Sequence, residues 1–493
     1  MKAIRLVTLF LALLMCLSAF AGCSQKTPDT DETTTSPSNP NVEETTELET
    51  KEELHPEIAK KDYGEEFYFT IMTHVNRPEY YWADEPKNNN LSDAIFNRQL
   101  YIQDYLGVEM FGKPESDPNL YITNFQTAVK NQDDSVHMLL SHCSTGIDGF
   151  ITGNYFLDYN DMTSIDLDAD YWNYDFMEGI EINGHMYLGY SDFNICYTNV
   201  VAFNKEMYDL YADAIEDSFY TLVSDYRWTL DKMISIASII YADTTADGKT
   251  TDDTFGFTAD YEVPYMSLLQ ACNINTIEMD DNGEYKVSVY NEKNKKKVSD
   301  LCDKLYNFVR QDFAYFDADK SYGIPASVFV GGRALMYLAR TTTLPGFLDD
   351  DIDFGVLPYP MYDEAQKDVG YRSLQWGGYI CLPSYLKNPT MVFETIEMLS
   401  FASEDVNIAY YEKLLGKQVA DAPQDREMLD MVWDSACSDF GLTYASATGG
   451  ASFSSIIPAV TKMGTTQSLA SYVATNETKA NKNLKKFINK VSK

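Results

Sequence analysis

Phe67-Tyr68-Phe69-Thr70-Ile71-Met72 reads as a β-strand, rich in the aromatic and β-branched side chains that suit a half-buried pleated surface. A polar and aromatic loop over residues 74–90 follows it, and then residues 91–106 change period. There Ile95, Leu100, Ile102, Tyr105 and Leu106 recur near every 3.6 residues, the spacing of a helix with one apolar face. Residues 108–111 predict the next strand, residues 122–130 the next helix, and His137-Met138-Leu139-Leu140 a third strand. Strand, helix and strand joined by short links imply parallel βαβ units and an α/β fold.

Toward the C-terminus, Trp228-Thr229-Leu230-Asp231 opens a helix predicted to run to residue 241, with Thr229 as its N-cap and Lys232 in its first turn. Further helices are predicted over residues 294–310 and 389–401. A basic one over 479–490 closes the chain, its cations suited to a C-terminal dipole. No internal repeat is visible.

Toward the N-terminus, Lys2 and Arg5 precede an apolar run over residues 6–20, which ends at Phe20-Ala21-Gly22-Cys23. A charged head, a hydrophobic stretch and small residues before a cysteine form a secretory leader. The site resembles a lipobox, which implies cleavage after Gly22, a diacylglyceryl chain on Cys23 and a protein held on the outer face of the bacterial cytoplasmic membrane. Residues 23–61 are rich in Thr, Ser, Pro and Glu and nearly lack large apolar side chains. Such a segment cannot offset its ordering entropy by burial, and it is expected to be a flexible tether. The rest exceeds one ordinary core and suggests two lobes.

Composition narrows the function. With 75 acidic against 38 basic residues and a formal charge of −37, the chain has no general attraction for nucleic acid or anionic lipid. Of eight cysteines, Cys16 leaves with the leader and Cys23 would carry lipid. The others (Cys143, Cys196, Cys272, Cys302, Cys381, Cys437) are scattered without a CxxC pair. Neither zinc nor a dense disulfide frame is indicated, and mostly buried thiols are expected.

Four segments in order resemble the family 1 extracellular solute-binding proteins of ABC importers, the maltose-binding-protein-like group. They are Asn199-Val200-Val201-Ala202-Phe203-Asn204-Lys205-Glu206; Trp228 through Phe255-Gly256-Phe257; Gly331-Gly332-Arg333-Ala334-Leu335-Met336 with Phe354-Gly355-Val356-Leu357-Pro358; and Gly377-Gly378-Tyr379-Ile380-Cys381-Leu382-Pro383. The resemblance implies a two-lobed periplasmic-binding-protein-like fold of type II, with ligand in the cleft. It places lobe I at residues 62–190 plus 380–435 and lobe II at 191–379 plus 436–493. It also implies hinge crossings near residues 190–194, 379–382 and 433–442. The expected partners are a mono- or oligosaccharide and the importer's permease subunits, for a monomeric receptor with no cofactor and no chemistry of its own.

Sugar recognition needs flat rings for the apolar face of a pyranose and planar polar groups for its hydroxyls. Loops at the carboxyl ends of parallel strands are where such groups belong. On that ground Trp82 and Asp84, in Tyr80-Tyr81-Trp82-Ala83-Asp84, and Ser144, in Ser141-His142-Cys143-Ser144, are candidate contacts. Asp192 lies at the first expected crossing. Glu262 and Tyr265, in Glu262-Val263-Pro264-Tyr265, resemble the family's Glu-Pro-Tyr sugar contact with one residue inserted. Arg340 follows a strand and Trp376 precedes Gly377-Gly378. Asp243, Asp247 and Gly248 match positions one, five and six of an EF-hand loop, but Thr245 and Thr254 stand at positions three and twelve. That leaves calcium open beside a plain acidic turn.

Two other classes share these features. A secreted glycoside hydrolase needs only a carboxylate pair, which so acidic a chain could supply. A sensor or adhesin would keep the same fold. No HExxH, P-loop or GxSxG motif is present.

Overall fold

The computed structural model describes residues 55, 57–73, 77–195, 198–260, 263–316, 323–347, 350, 352–375, 378–415, 423–448 and 469–491. The leader, Cys23, most of the tether, Cys196, Glu262 and Trp376 lie outside the described residues. In chain order the strands are β1 (Glu65–Met72), β2 (Val108–Glu115), β3 (Met138–Ser141), β4 (Asn199–Asn204), β5 (Tyr241–Ala242), β6 (Thr254–Ala259) and β7 (Ile277–Met279). They continue as β8 (Tyr285–Val287), β9 (Ala314–Phe316), β10 (Ala334–Arg340), β11 (Phe354–Leu357), β12 (Ser373–Leu374), β13 (Tyr379–Cys381) and β14 (Ala436–Cys437).

The first sheet has the order β13-β3-β1-β2. β1 runs parallel to both β2 and β3, with Phe69 opposite Gly112 and Met138. The helices Asn90–Leu106 and Pro118–Asn131 make the two crossovers. Asn89 caps the first by accepting from Ser92 N, and Gly107 ends it in the left-handed conformation. The second begins earlier than its apolar spacing indicates, because Asp117 caps it and Pro118 supplies a first-turn φ. β13 returns from late in the chain and pairs antiparallel with β3.

The second sheet runs β11-β4-β10-β6-β5, with β9 also on β6. Every residue of β4 is buried. Its alternation sends Val200 and Ala202 to the core that also contains the first sheet, and Val201 and Phe203 to a second core with Trp228 and Leu301. A strand covered on both faces reads as a continuous apolar run, as this one does.

The helix after Trp228 is Leu230–Ala237, with the Thr229 hydroxyl accepting from Lys232 N. It stops short of residue 241 because Tyr241 and Ala242 pair with Phe255 and Thr254. Gly256 is where that helix rests on the sheet. A methyl there would lie 1.8 Å from the Ala237 carbonyl oxygen, so only glycine fits between the two phenylalanines. Helices Lys295–Phe308 and Pro389–Phe401 follow their apolar periods. The last helix, Leu469–Val491, is longer than its basic part alone predicts. It buries Leu469, Val473, Ala480, Leu484, Phe487 and Val491 along one stripe. No described helix is long and apolar enough to cross a membrane.

Candidate functional site

The ends of the two sheets nearest the chain crossings gather the polar groups. In the second sheet, Arg340 at the end of β10 stands opposite Asn199 at the start of β4. Antiparallel pairing brings several connections to one place. Asn199 Nδ2 donates to Ser267 Oγ at 2.6 Å, and Ser373 Oγ donates to the Asn199 carbonyl at 2.7 Å. Thr341 Oγ1 accepts from Thr198 N at 3.2 Å. These buried hydroxyls satisfy backbone that leaves the ladder, which would otherwise cost about 1–3 kcal/mol per group.

Beside them, Tyr337 of β10 donates its phenol to Asp260, which follows β6 and also accepts from Gly323 N at 3.1 Å. Burial pushes the Tyr337 phenol well up, and the Asp260 carboxylate pushes the same way while Arg340 opposes it. Tyr359 is fully buried, and its hydroxyl finds no hydrogen-bond partner among the described residues. Burial raises its pKa too, against the nearby Arg340 guanidinium. The helix Val263–Ala271 starts at the same end and carries Tyr265 in its first turn.

In the first sheet, β3 ends at fully buried Ser141, opposite Tyr379. Ser141 Oγ and Thr145 Oγ1 lie 2.7 Å apart, and Thr145 Oγ1 donates to the His142 carbonyl at 2.7 Å. This closes the short 3-10 turn Cys143–Thr145, whose backbone holds Ser144. His142 is buried and lies 3.6 Å from Cys143 Sγ through Nδ1.

The aromatic loop after β1 is pinned from behind. Arg98 donates to the Tyr81 carbonyl at 3.0 Å and to Ser403 Oγ at 2.8 Å, with its guanidinium 4.7 Å from the Phe193 ring. Burial lowers the Arg98 pKa to about 9. Tyr80 and Tyr81 are buried, and Trp82 is half-buried with its ring edge-on to Phe69 at 5.9 Å. The Trp82 indole donates to Asp84, which is exposed, at 2.8 Å.

The crossing itself centres on Asn194 and Gly378. Asn194 Nδ2 donates to the Gly378 carbonyl, and Asn194 Oδ1 accepts from Ser191 N at 2.9 Å. Gly378 has φ +75°, a left-handed conformation that suits glycine, and a methyl there would sit 2.9 Å from Tyr81 Oη. Gly189 and Ile380 exchange both backbone hydrogen bonds. Tyr81, Asn194 and Gly378 thus meet where the segment after Gly189 passes the segment before β13.

A further crossing follows helix Pro423–Asp434. β14 pairs with β12, and Asp439 then accepts from Thr276 Oγ1 at 2.8 Å and Leu442 N at 2.7 Å. Phe440 stacks on Tyr285 at 4.6 Å. Tyr379 Oη and Thr443 Oγ1 lie 3.1 Å apart, and Tyr444 donates to the Ile180 carbonyl at 2.6 Å. One short segment therefore holds both the β7–β8 hairpin and the first sheet.

The expected contacts divide by this geometry. Trp82 and Asp84 touch each other on the first sheet's loop, and Arg340 lies with Tyr337 and Asp260 at the end of the second. Asp192 is half-buried and tied backward: its N–H donates to Tyr171 and its carbonyl accepts from Asn407. Ser144 and Tyr265 are placed by their backbone. Sequence reasoning passed over Tyr81, Asn194, Asp260 and Tyr337. Tyr81 carried a signal in its place beside Trp82 in the aromatic loop, and Asn194 in its position in the predicted crossing.

Five cysteines, Cys143, Cys272, Cys302, Cys381 and Cys437, are free thiols. Burial pushes Cys272 and Cys302 up to about 12. In the acidic loop, Asp243 accepts from the amides of Ala246 at 2.6 Å and Gly248 at 3.2 Å. Asp253 is buried and accepts from Thr244 and Thr250 amides. These carboxylates shape a turn, and among the described residues no group of three His, Cys, Asp or Glu side chains is disposed to hold a metal.

The chain has an α/β, two-lobed fold shared with solved ligand-binding proteins. It is similar to the GacH receptor of Streptomyces glaucescens, solved unliganded and with acarbose, at 13% identity and TM-score 0.55, over 86% of this chain and 98% of that one. It is also similar to the ABC substrate-binding protein Lmo0181 from Listeria monocytogenes, solved with cycloalternan, at 12% identity and TM-score 0.52, over 87% of this chain and 98% of that one. No family model and no curated protein matches the sequence.

Proposed function

We propose that the protein is the lipid-anchored extracellular receptor of an ABC importer, which captures a carbohydrate between its lobes by hinge closure and leaves it chemically unchanged. The observation that carries this reading is the meeting of Tyr81, Asn194 and Gly378 at the crossing between two sheets in a fold shared with sugar receptors. A cleft closing there encloses a ligand between the Trp82–Asp84 loop and the Asp260, Tyr337, Arg340 and Tyr265 end of the second sheet. Ligand then shifts an existing open–closed equilibrium, and permease subunits read the closed form. Both neighbours are binding proteins crystallised with oligosaccharide-type ligands, which supports the same ligand class here and argues against a hydrolase. The lipobox-like Phe20-Ala21-Gly22-Cys23 supports the anchor.

A thermal-shift screen over linear and cyclic oligosaccharides tests the reading. Ligand at about 100 times its dissociation constant should add roughly 2.7 kcal/mol. No shift with any sugar, or release of new reducing ends, would overturn it. Trp376→Ala should weaken sugar binding without lowering the melting temperature of the free protein, and Cys23→Ser should release the protein from membranes into the medium.

A further inference from the structure

The largest concentration of positive charge in this acidic chain is Lys293-Asn294-Lys295-Lys296-Lys297, where the helix Lys295–Phe308 opens. Lys293, Lys296 and Lys297 line a cavity of about 440 Å³, together with Asn273, Tyr362, Asp363 and Gln366. None of these residues belongs to the cleft set. The helix Val263–Ala271 runs roughly 9 Å along its axis from Tyr265 to Ala271, which stands just short of Asn273 on the cavity wall.

The cavity's lysines differ in how they are held. Lys296 pairs with Asp300 at 2.6 Å, and Lys293 lies 3.7 Å from Glu278. Lys297 is half-buried, with its ammonium 4.8 Å from the Tyr362 ring centre. Among the described residues it has no hydrogen-bond or ion-pair partner. A partly desolvated ammonium is costly, and the Asp363 carboxylate on the cavity wall and the Tyr362 ring compensate only in part. We propose that this cavity is a second ligand site, which binds a phosphate group on Lys297 with Lys293 and Lys296 at its rim. Phosphate fits better than carboxylate because the donors are ammonium point charges, and no guanidinium fork lines the cavity. Asp363 on the wall limits the site to anions whose charge outweighs one carboxylate.

The experiment is calorimetric titration of the folded chain with inorganic phosphate and with glycerol phosphate, against acetate and chloride at equal ionic strength. Both phosphates, or one of them, should bind, and acetate and chloride should not. Inorganic phosphate alone assigns the site to the free ion, and glycerol phosphate at least as tightly assigns it to phosphate esters. Lys297→Met keeps the stem on Tyr362 and should weaken binding about tenfold or more. Lys296 is 87% exposed, so Lys296→Gln folds regardless and should weaken it about threefold. Sugar affinity should stay unchanged in both variants. Equal response to acetate, or wild-type phosphate affinity in both variants, would overturn the proposal and leave the sugar reading untouched.

Discussion

At the residue scale, the crossing leaves little room for change at Gly378. A side chain there meets two penalties, the left-handed φ of +75° and a contact of 2.9 Å with Tyr81 Oη. Gly184 isolates the first penalty, with φ +83° and nothing within 4 Å. Gly184→Ala should cost about 1–2 kcal/mol. Gly378→Ala should cost roughly 1–3 kcal/mol more, by displacing Tyr81 or Asn194. Only the Gly378 variant should also lose sugar affinity. Equal denaturant midpoints for the two variants would show that the crossing relaxes freely around Tyr81.

At the element scale, two attachments hold segments that local propensity does not fix. Helix Pro423–Asp434 is pinned by fully buried Asp425, which accepts from Lys205 Nζ at 2.9 Å and Tyr220 at 2.7 Å. Asp425→Ala removes the buried partner of Lys205, which keeps only the more exposed Asp353 at 3.6 Å, and takes the acceptor from the Tyr220 hydroxyl. The cost should be about 3 kcal/mol, the low end for a broken buried pair, because the Lys205 side chain keeps 21% exposure. A urea midpoint within error of wild type would refute it. The segment entering the first sheet is docked by His55, whose Nε2 lies 3.0 Å from Tyr171 Oη and whose Nδ1 accepts from Ile58 N at 3.1 Å. Burial lowers the His55 pKa below 6.5, so its contribution is full above that pH and is lost as pH falls through the lowered value. His55→Phe should abolish that part of the acid sensitivity, read as a flatter melting-temperature profile below about pH 6.5.

At the scale of the whole molecule, residues 436–448 tie the second core to the first. Burial raises the Asp439 pKa above 3.8, against the hydrogen bonds from Thr276 and Leu442. A raised carboxyl contributes stability that is full below 3.8 and is lost as pH rises through the native value. Asp439→Asn should therefore gain on wild type between acid and neutral pH, and a constant difference in urea midpoints would contradict this. Gly441 touches the hairpin so closely that a methyl would lie 1.9 Å from Thr276 Oγ1. Gly441→Val should separate the β7–β8 hairpin from this segment, and small-angle scattering should then show a larger radius of gyration in the sugar-bound state. An unchanged radius would mean that closure does not use this contact.

The sequence by itself determined the elements and the class of fold. Period-2 and period-3.6 apolar spacing, the Thr229 cap and the apolar run Val200 to Phe203 within β4 each act within a few residues of chain, and local physics is legible there. The helix end at Ala237 was misplaced because β5 pairs with β6, and the start at Pro118 because the Asp117 cap lies outside the apolar period. Only the tertiary structure decided that Asn194 meets Gly378, that Tyr337 meets Asp260 and that Asp439 meets Thr276, across 184, 77 and 163 residues of chain. Hydrogen bonds and buried charges act over a few ångströms of space, and their partners become neighbours only once two sheets have closed around shared cores.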